Sequence, residues 1–340
     1  MSKLPKHILV IRLSAMGDVA MTVPVLRDFT EQYPDIKLTV LTRGFFKPFF
    51  RDLKNVTVFA IDLEAKHKGF FGLLDLSKEL RMLGIDAVAD LHNVLRSKIL
   101  KVFLLDLKPI QIDKGRAERK TLVKGELFEQ LKTTHQRYRD VFEKLGVPIK
   151  DAPPKFPERS ELTTKTLDLI GSDPKKRIGI APFAAHKSKE YPLPLMEKVI
   201  KGLSKEYTVL LFGGKEDAEY LSTLQTEQVH TIAGKLSLDE ELDVISNLDV
   251  MVSMDSGNAH MAAMLGIKVV TLWGVTHPYA GFYPYNQDPS FALLADRSKF
   301  PKIPTSIYGN KFPEGYESCM STISPDEVIQ KVDAIIKKPY

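Results

Sequence analysis

A single cysteine, Cys319, stands among 340 residues. That rules out an internal disulfide and a cysteine-based metal centre, and it fits a reducing cytoplasm. Long apolar runs are also missing. The longest, such as Ile8–Ile11 and Val269–Trp273, are strand-sized, well short of the roughly 20 residues that span a bilayer. The first run is followed at once by Arg12 and lacks the longer core and small-residue cleavage site of a secretory signal. It is expected to be a first strand. There is no short-period repeat, no low-complexity tract and no G-x-G-x-x-G, which counts against a dinucleotide dehydrogenase.

What is present suits two domains. The chain is long for one domain, and 44% hydrophobic residues are ample for two packed cores. Charge is uneven. The first 150 residues hold 27 Lys and Arg against 18 Asp and Glu, and the remainder hold 21 against 25. A basic first half fits an anionic substrate, a membrane surface or a plain lysine-rich solvated face. The excess is modest and no aromatic–basic motif accompanies it, so nucleic acid is not expected as a partner.

Short apolar runs alternate with amphipathic stretches. Strands are expected at 7–12, 37–41, 56–61 and 86–90, with helices at 18–32, 71–83, 94–105 and 122–145. Four prolines then fall within VPIKDAPPKFPERSE, the clearest linker in the chain. The rhythm restarts with strands at 177–183, 207–213, 248–254 and 267–273, separated by helical stretches. The end opens with Ser324–Pro325, a helix cap followed by Pro at the first helical position. The fold class is therefore α/β, with two facing Rossmann-like domains: residues 1–155 and residues 156–340. The terminal helix is expected to pack back on the first domain.

Loops at the C-terminal ends of strands are where open parallel sheets bind ligands. In the first, Leu13-Ser14-Ala15-Met16-Gly17-Asp18, Gly17 permits a close backbone approach. Asp18 suits either a helix N-cap or a general base. Asp90–Lys98 follows another strand and offers His92, Arg96 and Lys98 toward an acidic ligand. DKGRAERK, further on, reads as a polar loop. In the second half, Asp255-Ser256-Gly257-Asn258-Ala259-His260 joins a strand to a helix. Free amides at such a helix start form a diphosphate site, although, taken singly, capping explains Asp255 and Ser256 better and packing explains His260 better. Lys187 and Lys189 suit phosphate or plain surface charge. Glu216, after Gly213–Gly214, suits ribose hydroxyls or the first turn of a helix. No metal-type carboxylate cluster accompanies the diphosphate loop, so no metal and no cofactor is expected.

Taken together, RLSAMGDV, DLHNVLRS, PFAAHKSKEYP, LLFGGKED, IAGKLSLDE, VSMDSGNAHMAAMLG and WGVTHP occur in an order that resembles the ADP-heptose:lipopolysaccharide heptosyltransferases. The resemblance runs from about residue 7 to 335. It implies a GT-B fold and inverting transfer of heptose from ADP-heptose to a Kdo- and phosphate-bearing lipid A core. The enzyme would be cytoplasmic, in peripheral contact with the inner membrane. It implies Asp18 as catalytic base, and Lys189, Glu216, Leu236, Asp255, Ser256, Gly257 and His260 as donor-binding residues. Gly17, His92 and Arg96 fall on the acceptor side. One departure stands out: Ala184 and Ala185 replace a threonine pair that binds donor phosphate in the family. The rival readings are a UDP- or GDP-sugar transferase or epimerase of the same fold, and a nucleotide-sugar-binding protein without catalysis.

Overall fold

The computed structural model describes residues 4–171 and 173–338, which form two compact units. The first unit holds the chain to Lys114 together with Lys132–Lys155. Its strands are β1 (His7–Ile11), β2 (Lys37–Arg43), β3 (Val56–Ile61), β4 (Ala87–Asp90) and β5 (Ile110–Gln111). They pair in parallel in the order β3-β2-β1-β4-β5. β1 is central, and Ile8 lies opposite both Leu38 and Ala87. Its unbroken HILVI run follows from this position, because a central parallel strand is covered on both faces. The helices are α1 (Met16–Ala20), α2 (Thr22–Gln32), α3 (Gly69–Met82) and α4 (Leu95–Phe103). The helix expected over 18–32 thus starts earlier and is interrupted at Met21. Leu73, Leu76 and Leu80 of α3 pack with Leu100 of α4 on Leu9, Ile11 and Val88.

The single helix expected over 122–145 is two: α5 (Arg116–Lys124) and α6 (Thr134–Lys144). Gly125, at φ +72°, ends α5, and a Thr133–Gln136 capping box starts α6. α5 also occupies the stretch expected to be a polar loop. Residues 115–131 join the second unit rather than the first domain expected from the sequence. Leu122 and Leu131 bury there against Ala280, Tyr279 and Phe282, and the Leu131 amide donates to the Tyr279 carbonyl at 3.0 Å. The proline-rich stretch forms no regular element. Gln32 exchanges two hydrogen bonds with the Lys150 backbone, and the Tyr33 hydroxyl donates to the Pro148 carbonyl, so its first part is tied to α2.

The second unit carries β6 (Arg177–Ala181), β7 (Thr208–Leu211), β8 (Val229–Thr231), β9 (Val250–Met254), β10 (Lys268–Trp273) and β11 (Ala292–Leu294). They pair in parallel in the order β11-β10-β9-β6-β7-β8. Its further helices are α7 (Thr164–Ile170), α8 (Leu193–Leu203), α9 (Ala218–Ser222), α10 (Leu238–Ser246), α11 (Gly257–Met264) and α12 (Pro325–Lys337). α12 begins with the Ser324–Glu327 capping box that its sequence announces. Val328, Val332 and Ile335 bury with Val199 and Leu203 of α8 in the second unit's core. Among the described residues no helix is long and apolar enough to cross a membrane.

Each sheet has a point where strand order reverses. In the first unit it lies between β1 and β4, and in the second between β9 and β6. Loops leaving the C-terminal ends of such a strand pair diverge to opposite sides and leave a crevice between them.

Candidate functional site

In the first unit the turns after β1 and β4 meet around Arg12. One guanidinium nitrogen lies 2.6 Å from Asp18 Oδ2, and the other donates to the Leu91 carbonyl at 2.8 Å. A bidentate, planar cation thus ties one crevice wall to the other. Arg12 is buried, whereas the Asp18 side chain keeps 30% exposure. The capping role weighed for Asp18 is not realised. The N-cap position of α1 is Ala15, which offers no side-chain bond, and Asp18 sits with Gly17 in the helix's first turn. The Asp18 carbonyl accepts from the Tyr138 hydroxyl at 3.2 Å, so α6 also steadies the turn.

His92 belongs to the same cluster. Its Nδ1 accepts from the Leu13 amide at 3.4 Å, and the ring is buried. Burial, reinforced by the charges of Arg12 and Lys114, pushes its pKa down to about 4. The ring is therefore neutral at pH 7. Accepting at Nδ1 assigns its proton to Nε2. The Asp90 carboxylate accepts from the His92 and Asn93 amides at 3.0 and 2.8 Å and pairs with buried Lys101 at 2.8 Å. This fixes the turn that presents His92. Arg96 is exposed on α4 and shares no hydrogen bond or ion pair with this cluster.

In the second unit the loops after β6 and β9 meet in the same way. Lys189 Nζ lies 2.7 Å from Asp255 Oδ2 and donates to the Asp255 carbonyl at 3.2 Å. The Thr276 hydroxyl donates to the same carboxylate oxygen at 3.0 Å. Gly309, at φ +81°, lies flat on the Lys189 stem, where a Cβ would come within 2.9 Å of the lysine's Cε. Ser256 occupies the N-cap position of α11 without capping it, since its hydroxyl bonds to Ser253 Oγ at 3.0 Å. The amides that open α11, beginning at Gly257, thus have no side-chain cap, and the helix start keeps its anion-binding capacity. His260 is buried within the unit.

The neighbouring loops complete the set. Glu216 is exposed and lies folded over Gly214, where a Cβ would sit 2.5 Å from both carboxylate oxygens. Asp217, not Glu216, accepts from the Gly214 amide at 2.8 Å. Leu236 is half-buried between β8 and the Ser237 cap of α10. Ala184 and Ala185 bring no hydroxyl, and Ser188 cannot replace one, because it is buried and its hydroxyl donates to the Gly309 carbonyl. His186 and Lys187 are exposed in the same loop. Among the described residues no three His, Cys, Asp or Glu side chains gather as a metal-holding set.

Lys101 and Gly309 escaped the sequence reading, as did the roles of Arg12 and Thr276. Arg12 carries the one signal that could have flagged it: a permanent cation closing a strand buried on both faces. Thr276 lies in WGVTHP, where only the hydrogen bond to Asp255 reveals a role.

Residues 73–305 match the family model described as glycosyltransferase family 9 (heptosyltransferase). The lipooligosaccharide heptosyltransferase 2 of Haemophilus influenzae is 26% identical over 359 aligned positions, covering 98% of this chain and all of that one (100%). A glycosyl transferase family 9 structure from Veillonella parvula superposes with a TM-score of 0.76 at 20% identity, covering 99% of this chain and 98% of the other. The Escherichia coli ADP-heptose lps heptosyltransferase II gives a TM-score of 0.68 at 21% identity over 97% and 98% of the two chains.

Proposed function

The chain belongs to glycosyltransferase family 9, the heptosyltransferases, and we propose that it moves a heptose from ADP-heptose to a lipopolysaccharide-core acceptor with inversion at the sugar. It is a glycosyl-transferring enzyme with the two-sheet GT-B architecture. The donor is that in the name of the E. coli neighbour, and a lipooligosaccharide acceptor fits the H. influenzae relative's name.

The observation that carries the reading is the clamp of Lys189 on Asp255 beside the uncapped start of α11. A cation and free amides at the crevice stabilise charge that grows on a departing diphosphate. In this reading the diphosphate leaves as ADP while an acceptor hydroxyl attacks the anomeric carbon. Asp18 takes that hydroxyl's proton, and neutral His92 donates from Nε2 to an acceptor oxygen. Glu216 holds the ribose hydroxyls, the Leu236 backbone holds the adenine, and Gly17 and Arg96 serve the acceptor. No resident metal is invoked, because Lys189 and the helix start carry the charge.

A peripheral contact with the inner membrane's cytoplasmic face is part of the proposal. Phe70 and Phe71 are 56% and 77% exposed at the start of α3, with Lys66 and Lys68 just before them. Apolar rings beside lysines suit an anionic lipid surface.

The test is calorimetric titration with ADP, UDP, GDP and CMP, followed by transfer assays with D18A. Selective ADP binding, and a D18A protein that binds ADP but transfers nothing, is expected. A preference for UDP or GDP sinks the heptose donor. Full transfer by D18A sinks the base. One observation favours a second reading. The hydroxyls missing at positions 184 and 185 are not replaced by Ser188, so binding of none of the four nucleotides would point to a degenerate donor site.

A further inference from the structure

A cavity of about 450 Å³ lies in the second unit, past the C-terminal ends of β10 and β11. Phe128, His277, Tyr279, Tyr283 and Leu294 wall it, and Arg297 reaches into the same lining. The rings of Phe128, His277 and Tyr279 pack mutually, with centroids 4.4 to 4.9 Å apart. The guanidinium of Arg297 lies 3.4 Å over the centre of the Phe128 ring, and its Nε donates to the Ile303 carbonyl at 2.9 Å. The fork is thus immobilised from two sides, while its two terminal nitrogens have no partner among the described residues. His277 adds no positive charge to the lining and offers only an Nε2–H donor. Its Nδ1 accepts from the Tyr279 amide, and burial and the Arg297 charge keep the ring neutral. No acidic side chain lines the cavity among the described residues. The Tyr279 hydroxyl and the Gln130 side-chain oxygen, also on the lining, have no partner there either.

We infer that this cavity is a second ligand site, separate from the donor loops, for a six-membered sugar ring bearing one carboxylate. A fixed guanidinium without an acid partner pairs with a carboxylate in two parallel bonds. Aromatic walls take the C–H face of a pyranose, and Tyr279 and Gln130 offer partners for its hydroxyls. The volume is that of a small-ligand pocket. With a single cation among apolar walls, a monoanion suits the site better than a dianionic phosphate. None of the donor-site residues lines it. The nearest link is sequential: His277 follows Thr276, which bonds Asp255.

The experiment uses the full chain and three probes: glucuronate, glucose and glucose 6-phosphate. Trp273 is the only tryptophan, and its ring centroid lies 6.4 Å from that of Tyr283, so its fluorescence reports on the cavity wall. Titrations are followed by that signal and by calorimetry. Glucuronate should bind at least about tenfold more tightly than glucose, a difference of one guanidinium–carboxylate pair. R297Q should make the two sugars equal, with a melting temperature lower by no more than a few degrees for the lost Phe128 stack and Ile303 bond. R297K, which keeps charge without the fork, should lose most of the preference, and serves if R297Q folds poorly. Saturating ADP should leave the glucuronate titration unchanged. No saturable glucuronate binding, or a preference retained in R297Q, overturns the site. Displacement by ADP overturns its separateness, and tighter binding of glucose 6-phosphate overturns the ligand class.

Discussion

Arg12 holds the Asp18 carboxylate at 2.6 Å with one nitrogen and the Leu91 carbonyl at 2.8 Å with another. The candidate base is therefore aimed by a residue at the end of the central strand. R12K keeps a cation but cannot make both bonds. Its kcat is expected to fall about tenfold while the donor KM stays within about twofold, because only an orientation effective at the transition state is lost. An equal rise in donor KM would mean that Arg12 binds the donor instead.

Asp255 sits in a site proposed for a diphosphate, where its charge opposes the ligand. Its bond to Lys189 resolves this, if Asp255 serves to hold the lysine in place. K189M should weaken ADP binding by about tenfold or more, a loss typical of one charge-assisted contact. D255N should bind ADP at least as tightly as the parent protein, yet transfer more slowly. Calorimetry on both variants decides. If D255N loses as much affinity as K189M, then Asp255 contacts the nucleotide sugar directly.

Much of this site was legible before any coordinates. The loops that close on Lys189 and Asp255, and on Asp18 and His92, all leave the ends of short, continuously apolar runs, and such runs bounded by turns are the sequence signal of a buried parallel strand. Strand order then brings distant loops together, and that order is not written in any one segment. What stayed hidden has a physical reason. β5 spans two residues and β11 three, too short for a periodic pattern. The helix α7 carries only Thr166 and Ile170 as fully buried positions, a weak signal at seven residues. The stretch 122–145 mimics a single helix because Leu131 stands at helical spacing from Tyr138 and Leu145. Its side chain instead buries against Ala280, with which it shares the second unit, whereas Tyr138 and Leu145 belong to the first. Periodicity records that a residue is buried, not which core receives it.

Gly214 gives the adenosine side of the proposal its own test. Its φ of −72° suits any residue, so alanine adds no backbone strain there. The new Cβ would instead meet both Glu216 carboxylate oxygens at 2.5 Å and push that flexible side chain away. G214A should therefore melt within about 2 °C of the parent, as expected for a change of a few tenths of a kcal/mol. Its ADP affinity should drop about fivefold, and E216A should show the same loss. Unchanged ADP binding in both variants would remove Glu216 from the donor site.

His92 makes the stability of the first unit sensitive to acid, and the sign follows from its burial. Its pKa falls from 6.5 to about 4 on folding, so the unfolded chain binds a proton that the folded chain refuses. Stability is then fully present above pH 6.5 and is lost as pH falls toward 4. Between about pH 7.5 and 5 the loss from this one ring is on the order of 2 kcal/mol. His277 behaves likewise in the second unit, with a pKa also near 4. H92Q can still accept from the Leu13 amide through its side-chain oxygen but does not titrate. Urea unfolding of parent and H92Q at the two pH values gives four free energies. Their double difference should equal the His92 share, with H92Q the less acid-sensitive protein. A double difference near zero would mean that His92 is solvated enough to protonate in the folded state. Its role as a neutral Nε2 donor beside Asp18 would then fade as pH falls through 6.5 instead of holding to about 4.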